Sequence, residues 1–174
     1  MQLIPQTISV LGSYIKYTNE IERIVLTENT KVLGWREWVH LPELGLPLIK
    51  AKVDSGARTS CLHAFALEAF ERDGAEWVKF SIHPIQKNTD EVIECTAPIA
   101  DKRTVTDSGG HKEERFVIKT RIQIGEWKGD IEMTLTTRDD MMFRVLLGRT
   151  AIVSGKFSID PALSYVQGIK DGHN

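Results

Sequence analysis

The fold is decided by the stretch IKAKVDSGARTSCLHA, residues 49–64. An apolar run interrupted by lysines predicts a strand, and Asp54 follows it directly. A carboxylate at such a position is costly to desolvate unless its charge is shared or stabilised. Ser55 can donate a hydrogen bond to it, and Gly56 allows another backbone or a partner chain to approach closely. The alternative interpretation is an ordinary strand that ends in a polar Asp-Ser-Gly turn.

A second stretch, FRVLLGRTAI at residues 143–152, predicts another apolar strand. That strand ends in two leucines and Gly148, and Arg149 and Thr150 then open a predicted short helix. An Asp-Ser-Gly-Ala run followed, about a domain's length later, by two apolar residues, Gly and Arg resembles the retropepsin-like aspartic peptidases. In that fold, the resemblance implies, the strand that carries the Asp passes close to the strand that carries the apolar-apolar-Gly run.

A wider resemblance covers residues 32–155. It rests on the two motifs above together with GWREW at 34–38, TVTDSGG at 104–110 and MFRVLLGR at 142–149. These runs are similar to those of one bacterial family whose members are often labelled ATP-dependent zinc proteases and resemble retropepsins. Members of that family are associated with ligases that add glutamates to a ribosomal protein. The resemblance therefore implies an aspartic endopeptidase that hydrolyses glutamate-rich peptides.

The composition is that of an ordinary globular domain, with 174 residues, 41% of them hydrophobic and 26% charged. A net charge of -2 offers no cationic excess for nucleic acid, and no apolar run approaches the ~18 residues of a membrane span. The first residues show no signal-peptide pattern, and Cys61 and Cys95 form no disulfide framework. We therefore expect a cytoplasmic protein that has neither a nucleic-acid nor a membrane partner.

The chain divides by pattern into three parts. Residues 1–31 carry no motif and are predicted to be an N-terminal extension, and residues 161–174 are predicted to be a loose C-terminal tail. Residues 32–160 contain six to nine short predicted strands and one short helix. Together with the resemblance, this pattern predicts a mainly β fold, a small closed retropepsin-like (acid-protease) β-barrel.

Peptide hydrolysis by carboxylates requires two of them sharing one proton, because like charges about 3 Å apart cannot both ionise. The predicted barrel has one suitable acid, Asp54, with Ser55 and Gly56 completing the catalytic loop. A second Asp-Ser-Gly run begins at Asp107, but it lies only 53 positions later and no second apolar-apolar-Gly strand accompanies it. The sequence therefore predicts a homodimer in which Asp54 of each chain meets its counterpart across a twofold axis.

The substrate side of the site is predicted from the flap and from arginines. The run around Asp107 resembles a retropepsin flap, a hairpin that closes over substrate. Retropepsins commonly carry an acid after the Asp-Thr-Gly-Ala run that pairs with the later Arg, whereas this chain has Arg58 there, facing Arg149. Two neighbouring guanidiniums require acidic partners, either Asp139 and Asp140 or a substrate carboxylate. The predicted substrate-binding residues are Arg58, Thr106, Asp107, Ser108, Arg138 and Arg149.

The residues do not support the zinc and ATP of the family label. No H-E-x-x-H run or its inverse occurs, and only Cys61 and His63 are spaced to share a strand face. The nearest phosphate-loop candidate has six residues between Gly148 and Gly155 where four are required. The sequence therefore predicts no metal and no cofactor. Two rival functions stay open at this point: a non-catalytic barrel that binds acidic peptides, and the zinc-dependent protease of the label.

Overall fold

The computed structural model describes residues 31–106, 109–137 and 142–168. Within those ranges the chain forms twelve strands, one 3-10 helix at Pro42–Leu44 and one α-helix, α1, at Arg149–Ser154. The strands are β1 (Lys31–Leu33), β2 (Arg36–Leu41), β3 (Leu46–Val53), β4 (Ser60–His63), β5 (Ala66–Arg72), β6 (Ala75–Ile82), β7 (Ile93–Pro98), β8 (Asp101–Thr106), β9 (Lys112–Ile124), β10 (Trp127–Thr136), β11 (Val145–Leu147) and β12 (Phe157–Ile159). None of the helices described is long and apolar enough to cross a membrane.

Six strands close into a barrel in the order β10-β4-β11-β3-β2-β9, and pairing of β9 with β10 completes the ring. Within it β11 lies between the two strands that flank the Asp54 loop, parallel to β3 and antiparallel to β4. Alternate residues of each strand point into the barrel, where burial of apolar surface provides the main stabilisation. Buried residues of these six strands that belong to the core are Val39, Leu41, Leu46, Ile49, Ala51, Leu62, Ile118, Ile122, Ile124, Ile131, Met133, Leu135, Val145 and Leu147. The predicted mainly β closed barrel is confirmed.

Six to nine strands were predicted, and that number is too small. The additional strands lie outside the ring: β8 pairs along the outer edge of β9, β5-β6-β7 form a separate three-stranded sheet, and β1 pairs with β12. In β8 every residue is exposed or half-buried, so its sequence lacks the apolar alternation that identifies a strand. A tight turn joins β5 to β6, and Asp73 and Gly74 both adopt the positive φ that it requires.

The last strand of the barrel is shorter than the sequence predicted. The stretch that begins at Phe143 predicted an apolar strand ahead of Gly148, but β11 begins only at Val145. The residues just before it are fixed by long-range contacts instead of a ladder. Phe143 meets the ring of Trp35 edge to face at 5.8 Å, and Arg144 Nε donates to the carbonyl oxygen of His83 at 2.8 Å.

Residues 160–168 are bound to β2, whereas a loose tail was predicted for residues 161–174, of which those beyond 168 lie outside the described residues. Their binding partner is Glu37, an acid at a core-facing position of β2 whose side chain is fully buried. The carboxylate of Glu37 accepts hydrogen bonds from three backbone N–H groups, those of Gly34 at 2.6 Å, Val166 at 3.1 Å and Gln167 at 3.2 Å. This contact, which we call the Glu37 clamp, joins the two ends of the barrel sequence. The predicted N-terminal extension lies outside the described residues apart from Lys31.

Candidate active site

Asp54 lies where the chain leaves β3 and passes alongside β11. Its backbone N–H donates to the carbonyl oxygen of Leu147 at 2.9 Å, and the N–H of Val53 donates to that of Trp35 at the same distance. The side chain of Asp54 is half-buried, and the following Ser55 and Gly56 are exposed. The acid is therefore held by ladder contacts on both sides while its carboxyl end faces a solvent-accessible surface.

The carboxylate of Asp54 is oriented by its own loop. Oδ1 accepts the backbone N–H of Gly56 at 3.0 Å and that of Ala57 at 3.2 Å. Sequence analysis had assigned this role to the hydroxyl of Ser55, which makes no hydrogen bond within the described ranges. The two N–H groups fix one oxygen, and the structure gives Oδ2 no hydrogen-bond partner in the part of the chain it describes. That oxygen is the one available to water, to a proton or to a second carboxylate.

Gly148 allows the second motif to cross directly over the Asp54 loop. Its N–H donates to the hydroxyl of Ser60 at 3.1 Å, and a Cβ at this position would lie 2.6 Å from the backbone carbon of Thr59. Glycine is required here because any side chain would meet backbone. The next two residues continue the contact. The N–H of Arg149 donates to the carbonyl oxygen of Ala57 at 2.9 Å, and the N–H of Thr150 donates to the carbonyl oxygen of Arg58 at 3.0 Å.

Arg149 braces the loop from the side. Its Nη1 donates to the carbonyl oxygens of Ser55 at 2.7 Å and Gly56 at 2.9 Å. Arg149 is therefore held by neutral carbonyl groups. The acidic partners expected for Arg58 and Arg149, Asp139 and Asp140, lie outside the described residues. The two arginines do come together, along a shallow depression of about 500 Å³ that also contains Thr150, Val153 and Ser154. Both arginine side chains are exposed.

The flap prediction is described only in part. Thr106 is exposed at the end of β8 and pairs with Lys112, so a hairpin of β8 and β9 stands where a flap was expected. Asp107, Ser108 and Arg138 lie outside the described residues.

Arg103 of β8 is bound by Asp101 at 2.5 Å and by Glu132 at 2.7 Å, and these contacts lower the pKa of both carboxyls. Arg103 is therefore already neutralised within the chain.

Sequence reasoning gave too little weight to a buried polar cluster next to the flap hairpin. Arg115 of β9 is only 9% exposed and donates from Nε to Glu113 Oε2 at 2.7 Å. Its Nη1 lies 3.8 Å from Cys61 Sγ, and Thr136 Oγ1 donates to Glu113 Oε2 at 3.4 Å. A charged residue at a buried strand position is the signal that could have identified Arg115, as it could have identified Glu37.

No cluster of three or more His, Cys, Asp or Glu side chains able to hold a metal ion occurs among the described residues. Cys61 and Cys95 are both buried, and neither is in a disulfide. Burial of Cys95, with a smaller contribution from the neighbouring Glu94 charge, raises the pKa of the Cys95 thiol to about 11. That thiol is therefore a poor ligand or nucleophile near neutral pH, since the thiolate is the reactive form.

A closed β-barrel in which an Asp-Ser-Gly loop is crossed by an apolar-apolar-Gly strand and followed by a short helix defines the retropepsin-like class. Comparison with known families makes the assignment specific. The chain belongs to the RimB-like family, described as retropepsin-like aspartic endopeptidase RimB, whose model matches residues 32–170. The predicted family resemblance is confirmed.

Similar proteins carry a different activity in their names. The chain is 48% identical over 138 residues to a probable alpha-L-glutamate ligase of Desulfotalea psychrophila (strain LSv54 / DSM 12343), covering 79% of this chain and 30% of the ligase. It is 43% identical over 145 residues to a protein of the same name from Shewanella pealeana (strain ATCC 700345 / ANG-SQ1), covering 83% and 31%. This chain thus spans about a third of the length of these relatives.

A solved structure shares the fold. It is a protein of unknown function from Legionella pneumophila subsp. pneumophila str. Philadelphia 1, 25% identical in sequence, with a TM-score of 0.67. The superposition covers 79% of this chain and 98% of that one. The barrel described above is therefore an architecture that a related bacterial sequence also adopts.

Proposed function

We propose that the protein is an aspartic-type endopeptidase that acts as a homodimer through paired Asp54 carboxylates. The observation that carries the proposal is the geometry of the Asp54 loop. One oxygen of the carboxylate is fixed by two backbone N–H groups, and Arg149 holds the loop carbonyl groups from behind. A side chain held in this way is preorganised, so little free energy is spent on orienting it when substrate binds.

The dimer is part of the proposal because the mechanism needs two carboxylates and the chain offers one crossed Asp-Ser-Gly loop. The exposed surface next to that loop supports self-association. Val153 of α1 is 73% exposed and lies in the same depression as Arg58 and Arg149. An exposed apolar side chain beside the catalytic-loop residues offers a contact for a second copy of the chain. A twofold axis at this surface would bring the two Asp54 side chains together.

In the dimer, one Asp54 is ionised and its counterpart is protonated. The ionised carboxylate removes a proton from water, and the water oxygen attacks the carbonyl carbon of the scissile peptide bond. The protonated carboxyl donates to the carbonyl oxygen, which gives a neutral tetrahedral diol. Collapse of the diol breaks the C–N bond: one carboxyl delivers its proton to the leaving nitrogen, while the ionised carboxylate accepts a proton from a diol hydroxyl as the C=O bond re-forms. The dyad ends with one shared proton, as it began.

The substrate class that we propose is an acidic, glutamate-rich peptide. Exposed guanidinium groups of Arg58 and Arg149 border the Asp54 loop, and guanidinium forks suit carboxylates. The names of the longer relatives provide independent support, because those proteins are named as ligases of glutamate. A peptidase that acts on glutamate chains would reverse the peptide-bond formation that such ligases catalyse.

The test is cleavage of a glutamate-rich peptide by the full chain, compared with Asp54→Asn and with a matched control, Asp73→Asn. Asp73 is exposed in the β5–β6 turn at a φ of 53°, which Asn tolerates well. We expect mass spectrometry to show products with the wild type and with the control, and none with Asp54→Asn. Activity that survives Asp54→Asn but disappears with chelator would establish metal-dependent hydrolysis instead.

The dimer is tested separately by sedimentation across a concentration series. We expect Val153→Glu to shift the protein towards monomer and to reduce activity, while its melting temperature stays unchanged because the side chain is exposed. Binding of the acidic peptide without cleavage, by a wild type that is dimeric, would refute catalysis. It would favour the non-catalytic barrel that binds acidic peptides.

A further inference from the structure

The Arg115 cluster lies on the same side of the barrel wall as Asp54. Lys52, two residues before Asp54, pairs with Leu146 of β11, which in turn pairs with Cys61 of β4. Paired residues of neighbouring strands share a face, and so do residues i and i+2. Lys52, Leu146 and Cys61 therefore form one row across the three strands. Their neighbours along the strands, Ala51, Val145 and Leu62, fill the core, so the row faces away from the core, as does Asp54.

Arg115 reaches the far end of that row. Its Nη1 lies 3.8 Å from Cys61 Sγ, and Cys61 is two strands across from the strand that ends at Asp54. Neighbouring strands are about 4.8 Å apart, which places Cys61 roughly 10 Å from Lys52. Asp54 is two residues of about 3.3 Å further along, so Cys61 is roughly 12 Å from Asp54. An extended peptide that passes over Asp54 covers this distance within a few residues, because each residue spans about 3.3 Å. The guanidinium of Arg115 is therefore within reach of a substrate side chain.

The guanidinium of Arg115 also has unused binding capacity. It carries five N–H donors in a planar fork. In the described part of the chain, only Nε has an oxygen acceptor, Glu113 Oε2 at 2.7 Å, and the other contact is with a weakly accepting sulfur. The side chain is nevertheless about nine-tenths buried. No Arg115 nitrogen is among the fully buried polar atoms that lack a partner in the described residues, so the remaining Nη donors keep access to solvent and to a ligand.

Glu113 is the natural competitor for that fork. Its side chain is 29% exposed, and its second contact, to Thr136 Oγ1 at 3.4 Å, is long. Glu113 can therefore keep its bond to Nε while a second carboxylate binds the Nη side of the fork. Glu113 lies two positions before Arg115 on β9 and opposite Val105 of β8, so the pair lies within the flap hairpin, with Glu113 close to its turn.

We propose that Arg115 is a specificity-determining residue that binds an acidic side chain of the substrate beneath the flap hairpin. This inference rests on the proposed function for its role in catalysis, and it adds a subsite distinct from the exposed arginine pair. The ligand is a glutamate or aspartate carboxylate, held by the Nη groups of Arg115 while Glu113 fixes Nε. Glu113 then limits the affinity by repelling the incoming charge.

The experiment measures binding and cleavage of a short glutamate-rich peptide and its glutamine-substituted counterpart. Binding is measured by fluorescence anisotropy on the Asp54→Asn background, so that no turnover occurs. We expect Arg115→Met to raise the Kd of the glutamate peptide about 10- to 100-fold, as loss of a charge-assisted hydrogen bond would. The Kd of the glutamine peptide should stay nearly unchanged. The matched control is Arg121→Met, on the same strand but exposed and paired with Asp130.

Two further variants keep the test decisive if Arg115→Met folds poorly. Arg115→Lys retains the charge without the planar fork, so it should raise the Kd of the glutamate peptide less than Arg115→Met does. Glu113→Gln removes the competing charge, so it should lower the Kd of the glutamate peptide severalfold. Equal weakening of both peptides by Arg115→Met, or looser binding in Glu113→Gln, would overturn the inference.

The cleavage arm separates this inference from the proposed function. If the wild type cleaves both peptides with equal kcat/KM and Arg115→Met changes neither, the peptidase stands and the subsite is refuted. If the wild type cleaves neither peptide but binds the glutamate peptide through Arg115, the peptidase is refuted and the acidic site stands. Failure to bind either peptide refutes both.

Discussion

Replacing Glu37 by glutamine should weaken the barrel measurably, because the Glu37 clamp is fully buried and uses both carboxylate oxygens. Oε1 accepts from Gly34 and Val166, and Oε2 accepts from Gln167. The amide of Glu37→Gln keeps one oxygen and replaces the other with an NH₂ group, which cannot accept. At best it retains the two bonds to Oε1 and places a donor against the N–H of Gln167.

The loss is therefore one hydrogen bond to a charged acceptor, with a buried N–H left unsatisfied. Hydrogen bonds to charged groups contribute about 1.5–3 kcal/mol, so we expect the free energy of unfolding to fall by about 2 kcal/mol. The assay is urea denaturation followed by tryptophan fluorescence, with the midpoint and the m-value fitted separately. Limited proteolysis provides a second readout, since residues 160–168 should become susceptible to cleavage first.

Glu43→Gln is the matched control. Glu43 also accepts a backbone N–H, from Arg121 at 2.9 Å, but it is exposed. Water replaces a lost partner there, so the change should stay within about 0.5 kcal/mol. The reasoning is refuted if Glu37→Gln is as stable as the wild type to within the same margin, or if it destabilises no more than the control does.

Three further predictions concern the site and the buried thiol. Gly148→Ala should lower the free energy of unfolding by about 1–3 kcal/mol, because its Cβ would meet the Thr59 backbone at 2.6 Å; a melting temperature equal to that of the wild type would contradict this. Arg149→Lys loses the guanidinium fork that holds two loop carbonyl oxygens. We therefore expect kcat to fall by a larger factor than the unfolding equilibrium constant changes, as steady-state kinetics and urea denaturation would show. With its pKa raised to about 11, the Cys95 thiol should react with iodoacetamide at pH 8 far more slowly than an exposed cysteine, as mass spectrometry would show. The raised pKa of Cys95 also contributes stability that is complete below its ordinary value of 9.0 and is lost as pH rises towards 11, so the urea midpoint should decline over that window.

The candidate site was predictable where it depends on short runs of sequence. Asp54 and Gly148 each lie at the end of an apolar run, and the resemblance of the two motifs to those of retropepsins implied that the two strands meet. The hydrogen bond from Asp54 N–H to Leu147 and the close approach of Gly148 to Thr59 follow that prediction. The bracing of the loop by Arg149 differed in its acceptors, because a guanidinium near a tight loop finds backbone carbonyl groups closer than any side-chain acid.

Acids and bases within strands were predicted less well. Glu37 occupies a core-facing position on β2, and Arg115 is buried on the opposite face of the wall from the core. The alternation of each strand is a local property, whereas the partners of these side chains are distant in sequence. Val166 lies 129 positions from Glu37, and Cys61 lies 54 positions from Arg115. No local pattern encodes such pairs.

The sequence by itself therefore determined the class of fold, the acid at its centre and the glycine that lets two strands cross. The strands and the glycine depend on apolar periodicity and on backbone sterics, which act over a few residues. The class of fold and the acid were predicted from these patterns together with the family resemblance. Only the tertiary structure decided which charges are buried, which carbonyl groups Arg149 holds, and that Arg115 shares a face with Asp54. Closure of the barrel brings distant strands into register, and the cost of burying a charge is then met by whatever partner that register supplies.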